Sequence, residues 1–241
     1  MTDEPYRWLE AIANRREYIR EQLKSAMPVF AFSRPEGVLL VGVGTGQSKV
    51  FEIYDRQALA ALGHPVDIEK IRQTALEAAH VEGFTRAPED VTIRRLLNFS
   101  ISPVLKTSFE QVFSAPLIVE ALFAEVGLTP GQDVLARVSF DGTYRFELGG
   151  VAVAHTNVPD ESAAVAWLKR QLRPEQTLTE VVRLALAVGR RLADGKPFGP
   201  PTEAWASESL QVAERTVEVA WLLRHAGQRA CYRPVEAATL A

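Results

Sequence analysis

Helical segments in this sequence come in pairs, and each pair lies between groups of short apolar strands. Single helices that alternate with strands are typical of parallel βαβ units, whereas this grouping favours antiparallel sheets. The pattern predicts an α+β protein built as a four-layer αββα sandwich, in which two antiparallel sheets pack face to face and a helix pair covers each outer side. An extra amphipathic helix over residues 5–24 precedes the first strand.

The strands are predicted from short apolar runs and from alternation of apolar with polar residues. At Asp141 and Gly142 we expect a two-residue hairpin turn with positive φ at both positions. The predicted strands are residues 28–33, 38–43, 49–55, 58–66, 117–126, 134–140, 144–148, 151–154, 216–223 and 229–233.

Polar residues ahead of apolar periodic segments predict where the helices begin. Asp67 and Asp160 are expected to cap one helix each, and Thr177 forms a predicted capping box with Glu180. The helix after Asp67 should bury a face made of Ile68, Ile71, Ala75 and Ala79.

Two residues are predicted to interrupt helices. Gly83 should end the helix that follows Asp67, and Pro103 lacks the backbone donor that a helix interior needs. We therefore expect the helical region 88–114 to be kinked or divided at Pro103.

Composition excludes several classes of function. A net charge of -3 supplies no basic field for nucleic acid. No apolar run reaches the roughly 18 residues that cross a bilayer, so no membrane partner is expected. The single cysteine, Cys231, forms no internal disulfide and fits a reducing compartment, which predicts a cytoplasmic protein and a small core residue at this position.

The spacing of the glycines and histidines does not match known cofactor or metal motifs. Gly42, Gly44 and Gly46 suggest a phosphate loop, but Gln47 stands where a dinucleotide fingerprint needs glycine. The histidines have no ligand spacing, so neither a metal nor a cofactor is expected. They are His64, His80, His155 and His225.

Residues 48–56, followed by 60–63, resemble a stretch of the actinobacterial-type 20S proteasome α-subunits. Further matches follow in the same order along nearly the whole chain, so the resemblance rests on their colinearity. They are Pro5 and Tyr6, Gly83 and Phe84, residues 90–92, 124–126 and 140–143, Gly149 and Gly150, and residues 228–234.

The resemblance implies the αββα sandwich of N-terminal-nucleophile hydrolases. A catalytic β-type chain needs a threonine as its first mature residue, because the freed amine acts as the general base. That residue would lie near Ala26, Met27 and Pro28, where no nucleophile stands, and Ser25 lacks a preceding glycine. The acid expected near Val43 is also absent, which predicts a non-catalytic subunit.

A helix before the first strand marks the α type, and residues 17–21 resemble a string found there in archaeal α-subunits. In that family the helix lines the outer surface of a ring, and the residues ahead of it form an axial gate. The resemblance assigns this gate to Thr2, Asp3, Glu4, Pro5 and Tyr6.

Lys49 matches the family lysine that lines a pocket between neighbouring α-subunits. There it is expected to hold the C-terminal carboxylate of a ring-shaped ATPase activator through a charge-assisted bond. Glu17 and Arg20 are further candidates for the wall of that pocket.

The resemblance thus implies one domain over residues 1–241, with the gate segment and helix in 1–26 and the sandwich in 27–241. It implies a homo-oligomeric, heptameric outer ring that stacks on a ring of catalytic β-type subunits. Two alternatives stay open. One is an N-terminal-threonine hydrolase matured between Gly44 and Thr45, and the other is a self-associating ring without a β partner.

Overall fold

The computed structural model describes residues 4–44, 46–196, 198, 216–224 and 230–236. Helix α1 begins at Glu4 and ends at Leu23, and the remaining helices follow the predicted pairs. They are α2 (Pro65–Thr85), α3 (Ile93–Leu96), a π-helical turn (Leu97–Ile101), α4 (Ser102–Glu110), α5 (Val158–Gln171) and α6 (Leu178–Ala193), with short 3-10 turns at Pro88–Asp90 and Pro130–Gln132.

The described strands form two antiparallel five-stranded sheets, as the sequence predicts. Sheet A has the order β10-β9-β2-β1-β8, and sheet B has the order β3-β4-β5-β6-β7. The strands are β1 (Val29–Arg34), β2 (Gly37–Gly44), β3 (Val50–Tyr54), β4 (Gln57–Gly63), β5 (Val119–Glu125), β6 (Val134–Val138), β7 (Tyr144–Glu147), β8 (Val151–Ala154), β9 (Thr216–Leu223) and β10 (Tyr232–Pro234).

Three apolar cores separate four layers, which confirms the αββα sandwich. One core lies between sheet A and the pair α5 and α6, and another lies between sheet B and α2 to α4. The central core lies between the sheets, where α1 contributes Ile19 and Leu23 and the end of the chain contributes the buried Cys231. Helix α1 therefore closes one end of the sandwich rather than joining a helical layer.

The start and end of α2 differ from prediction. Its predicted face, Ile68, Ile71, Ala75 and Ala79, is buried. The N-cap residue is His64, however, and the Asp67 carboxylate instead accepts the Ile118 N–H at 2.9 Å. Gly83 does not end the helix: it lies inside it, where a Cβ would come within 2.3 Å of the Tyr54 hydroxyl. Glycine is needed here for close packing.

The predicted break at Pro103 takes the form of a π turn. Buried side chains recur every four residues, whereas an α-helix returns to the same face every 3.6 residues. The extra residue in the turn, where Ser102 N–H donates to the Leu97 carbonyl, keeps these side chains on one face. They are Ile93, Leu97, Ile101, Leu105 and Phe109.

The turn between β6 and β7 has three residues, 140–142, rather than the two that were predicted. Ser139 and Thr143 are bonded across the hairpin, and the Gly142 N–H donates to the Ser139 carbonyl. This is a turn around Phe140 and Asp141 followed by Gly142 in the left-handed region at φ 82°.

The two N-terminal caps in the other helical layer have different outcomes. Helix α5 begins at Val158 with Asn157 as N-cap, so the prediction of Asp160 is wrong. The predicted capping box of α6 is confirmed: the Glu180 N–H donates to Thr177 Oγ1 at 3.3 Å and the Thr177 N–H donates to Glu180 Oε2 at 2.7 Å.

Candidate functional site

A cavity of about 270 Å³ lies at the end of the sandwich against which α1 packs. We call it the lysine cavity, because Lys49 is the charged side chain in its wall. The wall is made by the end of α1, the starts of β1 and α2, and the ends of β2 and β4. Its residues are Gln22, Ser25, Ala26, Met27, Val43, Gly44, Gln47, Ser48, Lys49, Gly63, Pro65 and Ile68.

The start of β1 is where the nucleophile of a catalytic subunit would stand. Met27 lies there, 5% exposed, and its side chain belongs to the core between sheet A and α6. Val43, at the predicted position of the acid, is buried in the same core. The residues at this edge therefore pack as apolar side chains, and the hydroxyls in the wall come from Ser25 and Ser48.

Lys49 is half-buried immediately before β3. Its carbonyl accepts the Ala61 N–H at 2.9 Å, which pairs it with β4. Its aliphatic stem lies beside Gly44, since a Cβ added to that glycine would be 3.7 Å from Lys49 Cε. This places the lysine stem along the end of β2, in the wall of the cavity.

The other predicted site residues lie apart from Lys49 in this chain. Glu17 and Arg20 are exposed on α1 and are not in the wall of the lysine cavity. Thr2 and Asp3 lie outside the described residues, and Glu4, Pro5 and Tyr6 form the first turn of α1. A role for these residues in a gate or in a wall between subunits stays a prediction.

Two arginines that the sequence did not single out fasten α1 to the sandwich. Arg15 donates to the Ser108 and Ser114 carbonyls, both at 2.8 Å. Arg16 pairs with Asp141 at 3.3 Å and lies 5.3 Å from the centre of the Phe109 ring. Because guanidinium groups make several directed bonds, these contacts fix the orientation of the helix beside the cavity.

Buried charges lie at the same end of the sandwich. We call Glu120, Arg137, Arg145 and Glu161 the arginine–glutamate cluster. Arg137 lies 2.7 Å from Glu120 and 3.2 Å from Glu161, and the second carboxylate also accepts the His155 N–H at 2.9 Å. Arg145 pairs with the other Glu161 oxygen.

Burial governs protonation in this cluster. Glu120 is only 2% exposed, and loss of hydration raises its pKa to about 8 despite the attraction of Arg137. Burial also lowers the pKa of His155, which keeps that ring neutral. One signal of this cluster is visible in the sequence, a charged residue, Arg137, within a predicted strand, but that signal does not show that the arginine is buried.

Two general properties concern the described part of the chain. Within it, no set of three or more histidine, cysteine, aspartate or glutamate side chains is arranged to hold a metal ion. None of its helices is both long enough and apolar enough to span a bilayer.

Removal of residues 1–44 by cleavage before Thr45 would delete α1, β1 and β2. Strands β1 and β2 lie inside sheet A, between β9 and β8, and carry much of two cores. Because buried apolar surface is the main stabilising term, the sandwich could not retain this fold without them. The geometry disfavours the matured hydrolase.

The fold and the site define a class: an αββα sandwich with a leading helix and with a methionine where a nucleophile would begin β1. Proteins named proteasome subunit alpha are similar to this chain. The protein of Acidothermus cellulolyticus is 30% identical over 226 residues, covering 93% of this chain and 90% of its own length. That of Pseudarthrobacter chlorophenolicus is 32% identical over 238 residues, covering 93% and 91%.

A third relative, from Streptomyces coelicolor, is 31% identical over 196 residues, covering 80% of this chain and 75% of its own length. No family model matches the sequence. Identity of 30% or more over nine-tenths of both chains shows the family: the chain belongs to the proteasome α-subunits.

Proposed function

We propose that the protein is a non-catalytic α-type subunit that forms the outer, gating ring of a bacterial proteasome-like particle in the cytoplasm. The observation that carries this proposal is full-length similarity to α-subunits combined with Met27 at the start of β1. The freed amine and hydroxyl of a threonine supply the chemistry of such proteases, and a buried thioether supplies neither. The whole chain, 1–241, then acts as one domain.

The lysine cavity is the proposed docking site for an ATPase activator. Lys49 brings a positive charge to a cavity otherwise lined by apolar and neutral polar side chains. A C-terminal carboxylate entering it would gain a charge-assisted bond that an amidated end could not form. In a heptameric ring Glu17 and Arg20, which are exposed on α1, would be available to the wall from the side of the neighbouring subunit.

The layer of α2 and α3 is the proposed contact with the β ring. Phe84 is 93% exposed and Phe99 is 72% exposed, and exposed aromatic side chains of this size are typical of interfaces. Arg95 joins the two helices, because it pairs with Glu82 on α2 and lies 5.5 Å from the centre of the Phe99 ring. Arg95 thus ties α2 to the turn that carries Phe99, and both exposed rings lie on the helical layer that we propose the β ring covers.

The gate is proposed for residues 2–6. Arg15 and Arg16 hold helix α1 beside the lysine cavity. The gate lies at the start of this helix, and the end of the helix forms part of the cavity wall, so a ligand in the cavity would contact the helix that carries the gate. This connection supports coupling between docking and opening of the ring.

Native mass spectrometry and a peptidase assay test the proposal together. The purified chain should run as a ring or half-ring and should cleave no peptide until a β-type subunit from the same genome is added. Robust peptidase activity of the chain alone, or an intact mass lacking residues 1–44, would establish the hydrolase instead.

A charge placed on the helix layer tests the β contact. Phe84→Glu combined with Phe99→Glu should leave the α ring intact but prevent it from stacking on β rings. Phe113→Glu is the matched control, since Phe113 is fully exposed in the segment between α4 and β5. Rings that never bind β chains in the unaltered protein would favour the self-associating alternative.

A further inference from the structure

Lys49, directly before β3, and Val50, its first residue, are held by side chains from the opposite sheet. Glu218 on β9 accepts the Lys49 N–H at 2.7 Å and the Val50 N–H at 3.1 Å, both through Oε2. Tyr232 on β10 donates its hydroxyl to the Val50 carbonyl at 3.2 Å. Two side chains of sheet A therefore bind three backbone groups at the start of β3.

Strand pairing explains why these backbone groups need partners. Strand β3 lies at the edge of sheet B and pairs with β4 alone. Lys49 bonds to Ala61 on that side, so the N–H and carbonyl of Val50 point away from β4. At an open edge these groups would pair with water or with another chain. Glu218 and Tyr232 occupy them instead and fix where the edge begins.

Sheet A is shaped to let Lys49 approach. Gly42 on β2 lies opposite Glu218, and a Cβ there would be 3.2 Å from both Lys49 Cβ and Val50 Cγ2. Gly42 thus leaves room on β2 for the backbone that Glu218 binds. The lysine Cα is held from three directions, by Glu218, by β4 and by contact with β2.

Tyr232 remains a hydrogen-bond donor at every physiological pH. Burial, followed by the negative charges of Glu218 and Glu52, raises its pKa to about 12. The hydroxyl therefore keeps its proton and can donate to Val50.

We propose that Glu218 and Tyr232 are positioning residues, which hold the backbone of Lys49 so that its ammonium group can bind the C-terminal carboxylate of a ring-shaped activator. This inference rests on the docking function proposed for Lys49. A lysine side chain has four rotatable bonds, and binding must restrict them at a cost in entropy. A fixed Cα confines the ammonium to fewer places and so reduces that cost. Neither residue needs to touch the activator.

Binding of peptides that differ only at the C-terminus tests the inference. The probe is a pool of octapeptides of random sequence, immobilised through the N-terminus, with either a free carboxylate or an amide at the end. Glu218→Ala should weaken binding of the free acid about tenfold, and Tyr232→Phe about threefold, which correspond to lost hydrogen bonds. Binding of the amide should not change in either variant.

Two further variants serve as controls. Glu52→Ala removes an exposed carboxylate from β3 itself and should leave both affinities unchanged. Glu218→Gln keeps an acceptor oxygen while losing the charge, so it should recover part of the affinity for the free acid.

The outcomes separate this inference from the function on which it rests. If the unaltered ring binds acid and amide equally, docking at Lys49 is itself wrong. If the ring prefers the acid, and Lys49→Met loses that preference while Glu218→Ala keeps it, the positioning role is overturned. Equal weakening of acid and amide would also overturn it, because it indicates a general structural defect. Should Glu218→Ala fail to fold, Tyr232→Phe decides by the same criterion.

Discussion

The lysine cavity and the arginine–glutamate cluster lie at the same end of the sandwich, yet one is open and the other is closed. In the cavity, Lys49 is half-buried beside a space of about 270 Å³. In the cluster, Arg137 and both of its glutamates are buried, and each carboxylate faces an arginine. A charge that a ligand can reach suits recognition, whereas a charge sealed between secondary-structure elements suits architecture.

The elements that meet at each place explain this difference. Glu120 lies on β5, Arg137 on β6, His155 directly after β8 and Glu161 on α5, so the cluster joins both sheets and a helical layer. The lysine cavity lies where strands β2 and β4 end and α1 gives way to β1. Helix α5 covers the cluster through Glu161, whereas the cavity lies among the ends of the elements around it.

Loss of the central arginine should have the largest effect on stability. Arg137→Met leaves the buried Glu161 with Arg145 as its remaining cation and takes from Glu120 its arginine donor, and removing one partner of a buried ion pair costs about 3–5 kcal/mol of unfolding free energy. Urea denaturation followed by circular dichroism measures this loss. A change below about 1 kcal/mol would mean that water reaches the cluster, which would erase its contrast with the cavity.

The pH dependence of stability should reveal the protonation of Glu120. Its folded pKa of about 8 exceeds its ordinary value of 4.5, so between these values the folded state holds a proton that the unfolded state has lost. Stability contributed by the protonated group is complete below pH 4.5 and falls as pH rises toward 8, by at most about 1.4 kcal/mol per pH unit. Glu120→Gln should flatten this fall.

Denaturation curves at pH 5, 6, 7 and 8 make that comparison. The difference between the unaltered protein and the variant isolates Glu120, because His155 is common to both and acts in the opposite direction: its lowered pKa favours stability at higher pH. Identical slopes in the two proteins would show that Glu120 is ionised throughout.

The outer arginine of the cluster should matter less than the central one. Arg145 pairs with Glu161, but its side chain is 40% exposed, and ion pairs of exposed groups contribute about 1 kcal/mol or less. After Arg145→Met, Glu161 still binds Arg137 and the His155 N–H. We expect the denaturation midpoint to move far less than in Arg137→Met. An equal loss of unfolding free energy in both variants would show that the two arginines contribute equally to stability, which would contradict this prediction.

Lys49→Met should have the smallest effect on stability, less than about 1 kcal/mol, since methionine preserves most of the stem that packs beside Gly44. The same variant should abolish activator-dependent degradation of peptides by the assembled particle. Together, a small loss of stability and a complete loss of activator-dependent degradation would show that Lys49 serves recognition and not architecture. A large loss of stability with degradation intact would assign Lys49 to the architecture instead.

Local signals predicted most of the fold correctly. The capping box at Thr177 and Glu180 and the buried face of α2 depend on residues close together in the chain, and both are present as predicted. The predicted caps at Asp67 and Asp160 were wrong, because these carboxylates bind the Ile118 N–H and the Asn157 side chain instead. A carboxylate that could cap a helix can accept a hydrogen bond from another donor instead. The sequence does not show the donors that distant segments bring close, such as the Ile118 N–H.

The candidate site was predicted only through its lysine. Family resemblance singled out Lys49, but Glu218 lies 169 residues away in the chain and carries no motif. The arginine–glutamate cluster was missed because of the alternation along β6. It places Arg137 on the face opposite Ala136 and Val138, and such a pattern indicates that the polar face is exposed to solvent. In the sandwich both faces of the strand are covered: Ala136 and Val138 face the helices, and Leu135 faces the other sheet.

The sequence by itself determined the order of strands and paired helices, the absence of a nucleophile at the start of β1 and the place of the leading helix, because these features depend on residue type and local spacing. The tertiary structure alone decided which charges are buried and which surround an open cavity. Burial and hydration depend on elements that are far apart in the chain and meet only after folding, as Glu218 meets Lys49 and as Glu161 meets Arg137.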